Sequence, residues 1–143
     1  MPSPPSALKK SLVREGFEIY RTSPNLILLA DRVRDNLLME AGVAAVEGET
    51  LAVRIVLRAH AIDFPGETPE GLFTRARALG DVIRKRGYQE LRAEAVPVLD
   101  PSDKARSLDT WYEVSYELPV ADETALFNEL RFALGVRKTV DRA

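Results

Sequence analysis

A chain of 143 residues, 45% hydrophobic and 29% charged, has the size and composition of one globular domain. Its formal net charge of −2 provides no basic field that would attract a nucleic-acid backbone. No apolar run is long enough to cross a bilayer, and the N-terminus lacks the apolar core of a secretory signal. We therefore expect a single domain over 1–143, located in the cytoplasm, with neither nucleic acid nor a membrane as partner.

The sequence contains no cysteine, which excludes a disulfide framework and any thiolate nucleophile or metal ligand. This composition also favours a cytoplasmic location. Fifteen arginines stand against five lysines, and this bias is a hint of a GC-rich bacterial genome.

The first fifty residues are too few for an independent domain, so we expect 6–50 to elaborate the main domain behind a flexible arm over 1–5. Ser6 can cap a short helix that ends at Gly16, and 17–21 alternates as a strand does.

The segment that follows the turn at 22–25 allows two interpretations. In the first, a strand over 25–30 leads into a helix over about 31–41. In the second, one continuous helix begins at Pro24. We favour the first interpretation and leave the second open.

The stretch Leu51 to Phe64 is the longest apolar run and predicts the central strand of a sheet. Its odd-numbered positions down to Ala61 are all apolar, whereas its even-numbered positions include Arg54, Arg58 and His60. One face of this strand therefore requires a core, and the other face can meet water.

The remaining elements alternate between helix and strand. The predicted order is a helix from Thr68 to about Arg86 that stops at Gly87, an edge strand over 89–99 that contains Pro97, a strand over 110–118, a helix from Asp122 to Leu134, and a last strand over 136–140. Together with the central strand, this order over 51–140 indicates an α+β fold with the ferredoxin-like, or split βαβ, antiparallel sheet.

Alternation also predicts an open sheet face that is rich in charge. Its members are Arg54, Arg58 and His60 from the first strand, Arg92 and Glu94 from the second, and Trp111, Glu113 and Glu117 from the third. One antiparallel register gives the cross-strand pairs Arg58 with Glu113, Arg54 with Glu117, and His60 with Trp111. Ion pairs of this kind contribute about 0.2–1 kcal/mol each, which biases the register without implying a site. The candidate interaction residues are Trp111, Arg58, Arg54, His60 and Glu113.

No motif predicts catalysis, a cofactor or a metal ion. His60 is the sole histidine, so any histidine-based catalytic site would have to include it, and no nucleophile-elbow pattern occurs. The carboxylates Asp63, Glu67 and Glu70 surround a Pro-Gly turn, where turn formation and helix-terminal charge explain them. We predict no catalytic, cofactor-binding or metal-binding residue.

Two functional hypotheses remain. The first is a non-enzymatic interaction domain that works through its sheet face or an edge strand and associates with itself as a homodimer or with a partner protein. The second is a small enzyme or ligand-binding domain with a pocket between sheet and helices, lined by Tyr112, Tyr116, Tyr88 or Phe64.

Overall fold

The computed structural model describes residues 6–34 and 37–142 and shows a mixed α+β fold with one six-stranded antiparallel sheet and four α-helices. The strands are β1 (Ile19–Ser23), β2 (Leu26–Arg34), β3 (Leu37–Glu47), β4 (Leu51–His60), β5 (Gln89–Asp100) and β6 (Asp103–Val120). The helices are α1 (Ser6–Arg14), α2 (Pro69–Leu79), α3 (Asp81–Lys85) and α4 (Glu123–Arg142). The strand order is β1-β2-β3-β4-β6-β5. The predicted arm over 1–5 lies outside the described residues.

The prediction that 51–64 supplies a central strand is confirmed, because β4 lies between β3 and β6. Val53, Ile55 and Leu57 are fully buried, while Arg54 and Arg58 on the other face are partly exposed. The strand is shorter than the apolar run, since a short 3₁₀ helix begins at Ala61.

Both interpretations of the segment after Pro24 are wrong in their helical part. The predicted strand over 25–30 exists as the first part of β2. In place of the predicted helix over 31–41, residues 31–34 continue β2 and residues 37–41 begin β3. The two strands pair along their length with Leu28 opposite Ala44 and Ala30 opposite Glu40, so β3 carries two extra residues there. Gly42, with φ of +76°, lies in this bulge. Pairing with β2 and β4 overrides the helical spacing of the apolar residues.

The first fifty residues contribute one helix and three strands of the sheet. β1, β2 and β3 extend the order beyond β4, and Glu47 pairs with Leu51 across a tight turn at 48–50. In α1, Leu8 and Leu12 are buried, whereas Val13 is 55% exposed.

The helical segment after β4 begins where it was predicted to begin. Thr68 is the N-cap, and its hydroxyl accepts a hydrogen bond of 3.0 Å from Gly71 N. The segment divides at Gly80 into α2 and α3, and Gly87 adopts the predicted positive φ, +110°. A Cβ atom on Gly80 would lie 2.8 Å from the Tyr116 hydroxyl, so this glycine permits close packing of the helical segment on the sheet.

The hairpin of β5 and β6 is longer than predicted. The expected edge position of the strand that contains Pro97 is confirmed, because β5 ends the strand order. The strands were predicted over 89–99 and 110–118, but only Pro101 and Ser102 separate them, because β5 ends at Asp100 and β6 begins at Asp103.

The ferredoxin-like arrangement over 51–140 is not supported. Its strand order of first, third and second is present as β4-β6-β5, but 136–140 lie in α4 and form no strand, and four consecutive strands, β1 to β4, follow α1. Asp122 caps α4 as predicted, with Ala125 N donating to Oδ1 at 2.9 Å, but Gly135 does not end the helix. The buried stripe of α4 continues past Gly135 to Arg137, whose Nε donates to Ala41 O at 3.1 Å. Packing of α4 on β3 offsets the cost of about 1 kcal/mol for an interior glycine.

The chain divides into two compact units, one formed by Met1–Ile55 with Glu117–Ala143 and the other by Val56–Tyr116. β4 and β6 each run from one unit into the other. The expectation of a single domain stays a prediction, and it is tested below by deletion.

Candidate functional site

The charged face of the second unit is organised by the pair Arg58 and Glu113 on β4 and β6. Arg58 donates from Nε and Nη2 to Glu113 Oε2 at 2.8 and 2.7 Å. Both side chains are 16% exposed, which is low for an ion pair on a sheet surface. The predicted register is therefore confirmed at this position, and the pair is more buried than a solvated ladder would be.

In the first unit, the other predicted ion pair is present. Arg54 Nη2 donates to Glu117 Oε1 at 3.1 Å. These side chains are 34% and 24% exposed, and Arg54 Nε is buried without a hydrogen-bond partner.

Trp111 is half-buried and is held from several directions within the second unit. The Arg58 guanidinium lies 4.7 Å from its ring centroid, and the His60 ring lies 5.3 Å away at an angle of 45°. Its indole Nε1 donates to Asp109 Oδ2 at 3.1 Å. The cross-strand approach of His60 to Trp111 is thus confirmed.

Asp109 is the residue that sequence reasoning missed. Its Oδ1 accepts hydrogen bonds from Ile62 N at 2.9 Å and from Thr110 N at 2.7 Å, while Oδ2 accepts from Trp111 and lies 3.6 Å from His60 Nδ1. The side chain is only 9% exposed. The position two residues before Trp111 places it on the same strand face, which is the signal that could have revealed it. We call Arg58, His60, Asp109, Trp111 and Glu113 the tryptophan cluster.

The electrostatics of the cluster are balanced. Arg58 is offset by Glu113, and Asp109 accepts from two backbone amides and the indole. The partly exposed ring of Trp111 is therefore held in place by the Arg58–Glu113 ion pair and by the hydrogen bonds of Asp109.

Arg92 and Glu94 do not join this cluster by any described contact. Arg92 Nη2 lies 3.4 Å from Glu94 Oε1, and the side chains are 69% and 46% exposed. They form an ion pair of their own along β5.

The aromatic residues expected to line a pocket are used in packing. Tyr116 is fully buried and Tyr88 is 3% exposed, while Tyr112 contacts Phe73 edge-on at 5.0 Å. The Tyr116 hydroxyl accepts a hydrogen bond of 3.0 Å from Arg84 Nη1. Burial raises the pKa of Tyr116, so its phenol stays protonated at neutral pH and acts as a structural group.

The described part of the chain contains neither a cluster of metal-binding side chains nor a helix that could span a membrane. Residues 6–34 and 37–142 contain no group of three or more His, Asp or Glu side chains placed to hold a metal ion. Among the helices of the same residues, none combines the length and apolar character needed to cross a bilayer.

Comparison with known proteins found no relative: no family model, no curated protein and no solved structure matches the chain.

Proposed function

We propose that this chain is a small, non-enzymatic, regulatory interaction domain of bacterial type that associates with itself through the tryptophan cluster. The absence of cysteine from the sequence supports the cytoplasm as its working location.

The observation that carries the proposal is the fixation of Trp111. Its ring is stacked by Arg58 and its Nε1 is bound by Asp109, yet the residue remains partly exposed. A side chain already ordered before binding loses little conformational entropy when a partner covers it. Tryptophan and arginine are also the residues most enriched at interface hot spots.

The alternative of a ligand-binding or enzymatic pocket has less support. Tyr116 and Tyr88 are buried, and the Tyr116 hydroxyl already accepts a bond from Arg84. A pocket lined by these residues would require them to leave their present contacts.

The test is the mass of Trp111→Ala in solution, measured by light scattering over a range of concentrations. We expect the variant to be shifted towards monomer relative to the wild type. The control is Tyr20→Ala, which removes a 46% exposed aromatic side chain on β1 and should leave association unchanged.

A denaturant titration of the same variant separates a contact residue from a core residue. Loss of the cation–π contact and of the indole hydrogen bond should reduce the free energy of unfolding by about 1–2 kcal/mol. A loss of about 3–5 kcal/mol would identify Trp111 as a core residue and contradict the proposal. A wild type that stays monomeric at high concentration would contradict self-association.

A further inference from the structure

The outer edge of β5 presents an unpaired row of backbone groups. β5 ends the strand order, so among the described residues only β6 pairs with it. Six of the seven residues from Gln89 to Ala95 are exposed, and Leu91 keeps 47% of its surface open to solvent. An open edge of this length is a template for pairing with another strand.

The side chains along this edge are complementary to themselves. Arg92 and Glu94 flank Ala93 on one face of the strand, and both are well exposed. If a second copy of β5 pairs antiparallel with a two-fold axis at Ala93, Arg92 of each copy lies opposite Glu94 of the other. A two-fold interface requires this property, because every contact of residue i with residue j of the other copy is repeated as a contact of residue j with residue i of the other copy.

Charge also selects this register over its neighbours. A shift that moves the axis to Arg92 or to Glu94 sets like charges directly opposite each other, which is destabilising. An axis that passes between two neighbouring residues would place each side chain opposite one that points to the other face of the sheet. Of these registers, pairing at Ala93 sets both Arg92 and Glu94 opposite a residue of opposite charge in the other copy.

The opposite face of the strand and its far end agree with the same arrangement. Leu91 falls opposite Ala95 of the other copy, and Ala93 meets Ala93, so small residues leave room for the exposed leucine. Pro97 falls opposite Gln89, at the end of the ladder, where the lack of a backbone N–H disturbs the fewest inter-strand hydrogen bonds. Proline at this position opposes extension of the ladder beyond it.

We propose that β5 is a dimerisation edge that pairs with β5 of a second copy of this chain about a two-fold axis at Ala93. The edge is separate from the tryptophan cluster, since no described contact joins Arg92 or Glu94 to it. The inference therefore stands or falls independently of the proposed function.

The experiment is a charge swap measured by analytical ultracentrifugation of the full chain. Arg92→Glu alone sets two pairs of glutamates opposite each other, and Glu94→Arg alone sets two pairs of arginines. Each should raise the dimer dissociation constant by roughly tenfold or more. The double variant restores opposite charges and should recover the wild-type constant. The control is Arg21→Glu on β1, the other edge strand, which should have no effect.

Hydrogen exchange supplies a second measurement that needs no substitution. Amides between Leu91 and Ala95 should gain protection as the wild-type concentration rises. The proposed β5 dimer would be overturned if neither single swap weakened dimerisation or if the double variant failed to recover it. Hydrogen exchange at these amides that does not depend on concentration would overturn it as well. If the swaps act as expected while Trp111→Ala leaves association unchanged, the edge is supported and the tryptophan interface is contradicted.

Discussion

The guanidinium carbon of Arg58 lies 4.7 Å from the centroid of the Trp111 ring. The same guanidinium binds Glu113 through two nitrogens, so one cation both stacks on the aromatic ring and closes an ion pair. Cation–π attraction and a charge-assisted hydrogen bond both strengthen as water is excluded. Arg58 therefore connects the ion pair with Glu113 to the aromatic ring of Trp111.

A double-mutant cycle should show that the Arg58–Glu113 pair contributes more than a surface ion pair. Using Arg58→Met and Glu113→Gln, we expect a coupling energy of about 1–2 kcal/mol from chemical denaturation, because the charged bond is mostly shielded. The matched control is Arg131 with Glu15, which also stacks on an aromatic ring, at 5.2 Å from Phe17, but is 50% and 43% exposed. Its coupling should not exceed about 0.5 kcal/mol. Equal couplings would contradict the role of burial.

Asp109→Asn should loosen the tryptophan cluster. The neutral amide keeps one acceptor oxygen, so either Trp111 Nε1 or the backbone amides of Ile62 and Thr110 lose a partner, which costs about 1–3 kcal/mol. Trp111 is the sole tryptophan of the sequence, so a red shift of its fluorescence in the folded state reports the change directly. Asp63→Asn, at an exposed carboxylate, should leave both fluorescence and stability unchanged.

Two glycines in helical segments should respond in opposite directions to alanine. Gly135 lies within α4, and a Cβ atom there would meet nothing within 4 Å, so Gly135→Ala should stabilise the fold by about 0.5–1 kcal/mol. At Gly80 the same atom would lie 2.8 Å from the Tyr116 hydroxyl, so Gly80→Ala should lower the melting temperature. A destabilised Gly135→Ala would mean that the helix ends near this glycine.

The ion pair of Arg77 and Glu90 should add stability that acid removes. Arg77 Nε and Nη2 donate to the two Glu90 oxygens at 2.9 and 3.1 Å, and this lowers the pKa of Glu90 from its usual 4.5. A depressed carboxyl pKa stabilises the folded state above the usual value, and the effect is lost as pH falls through the folded-state pKa.

For Arg77→Gln we therefore expect a loss of less than about 1 kcal/mol at neutral pH, because the pair is partly exposed. The difference from the wild type should shrink towards zero in acid. Glu90→Gln should show the same dependence in denaturant titrations, and a difference that persists well below pH 4.5 would exclude the ion pair as its cause.

Deletion of residues 1–50 tests the prediction of a single domain. The deletion removes β1, β2 and β3 and leaves the β4 backbone without the partner that pairs with Leu51 through Ile55. We expect insoluble protein, because an apolar strand with an open edge is prone to aggregation. A soluble fragment over 51–143 with a cooperative melt would instead show that the later part of the chain folds independently.

The sequence by itself determined those elements whose faces or ends are marked by residues within the element or next to it. The alternation of Arg54, Arg58 and His60 with apolar residues marked β4 and its two faces, and Thr68 followed by proline marked the start of α2. The cross-strand register was also readable, because opposite charges four residues apart on two strands match in only one alignment.

Only the tertiary structure decided the elements whose local signals were ambiguous. Residues 31–41 have helical spacing, but 31–34 belong to β2 and 37–41 belong to β3, because pairing with neighbouring strands satisfies their backbone groups. The end of α4 was decided by the packing of Arg137 against Ala41, almost a hundred residues earlier, which no local pattern around Gly135 contains. Asp109 became central for the same reason, since its donors at Ile62 and Trp111 converge only when two strands and a turn are folded together.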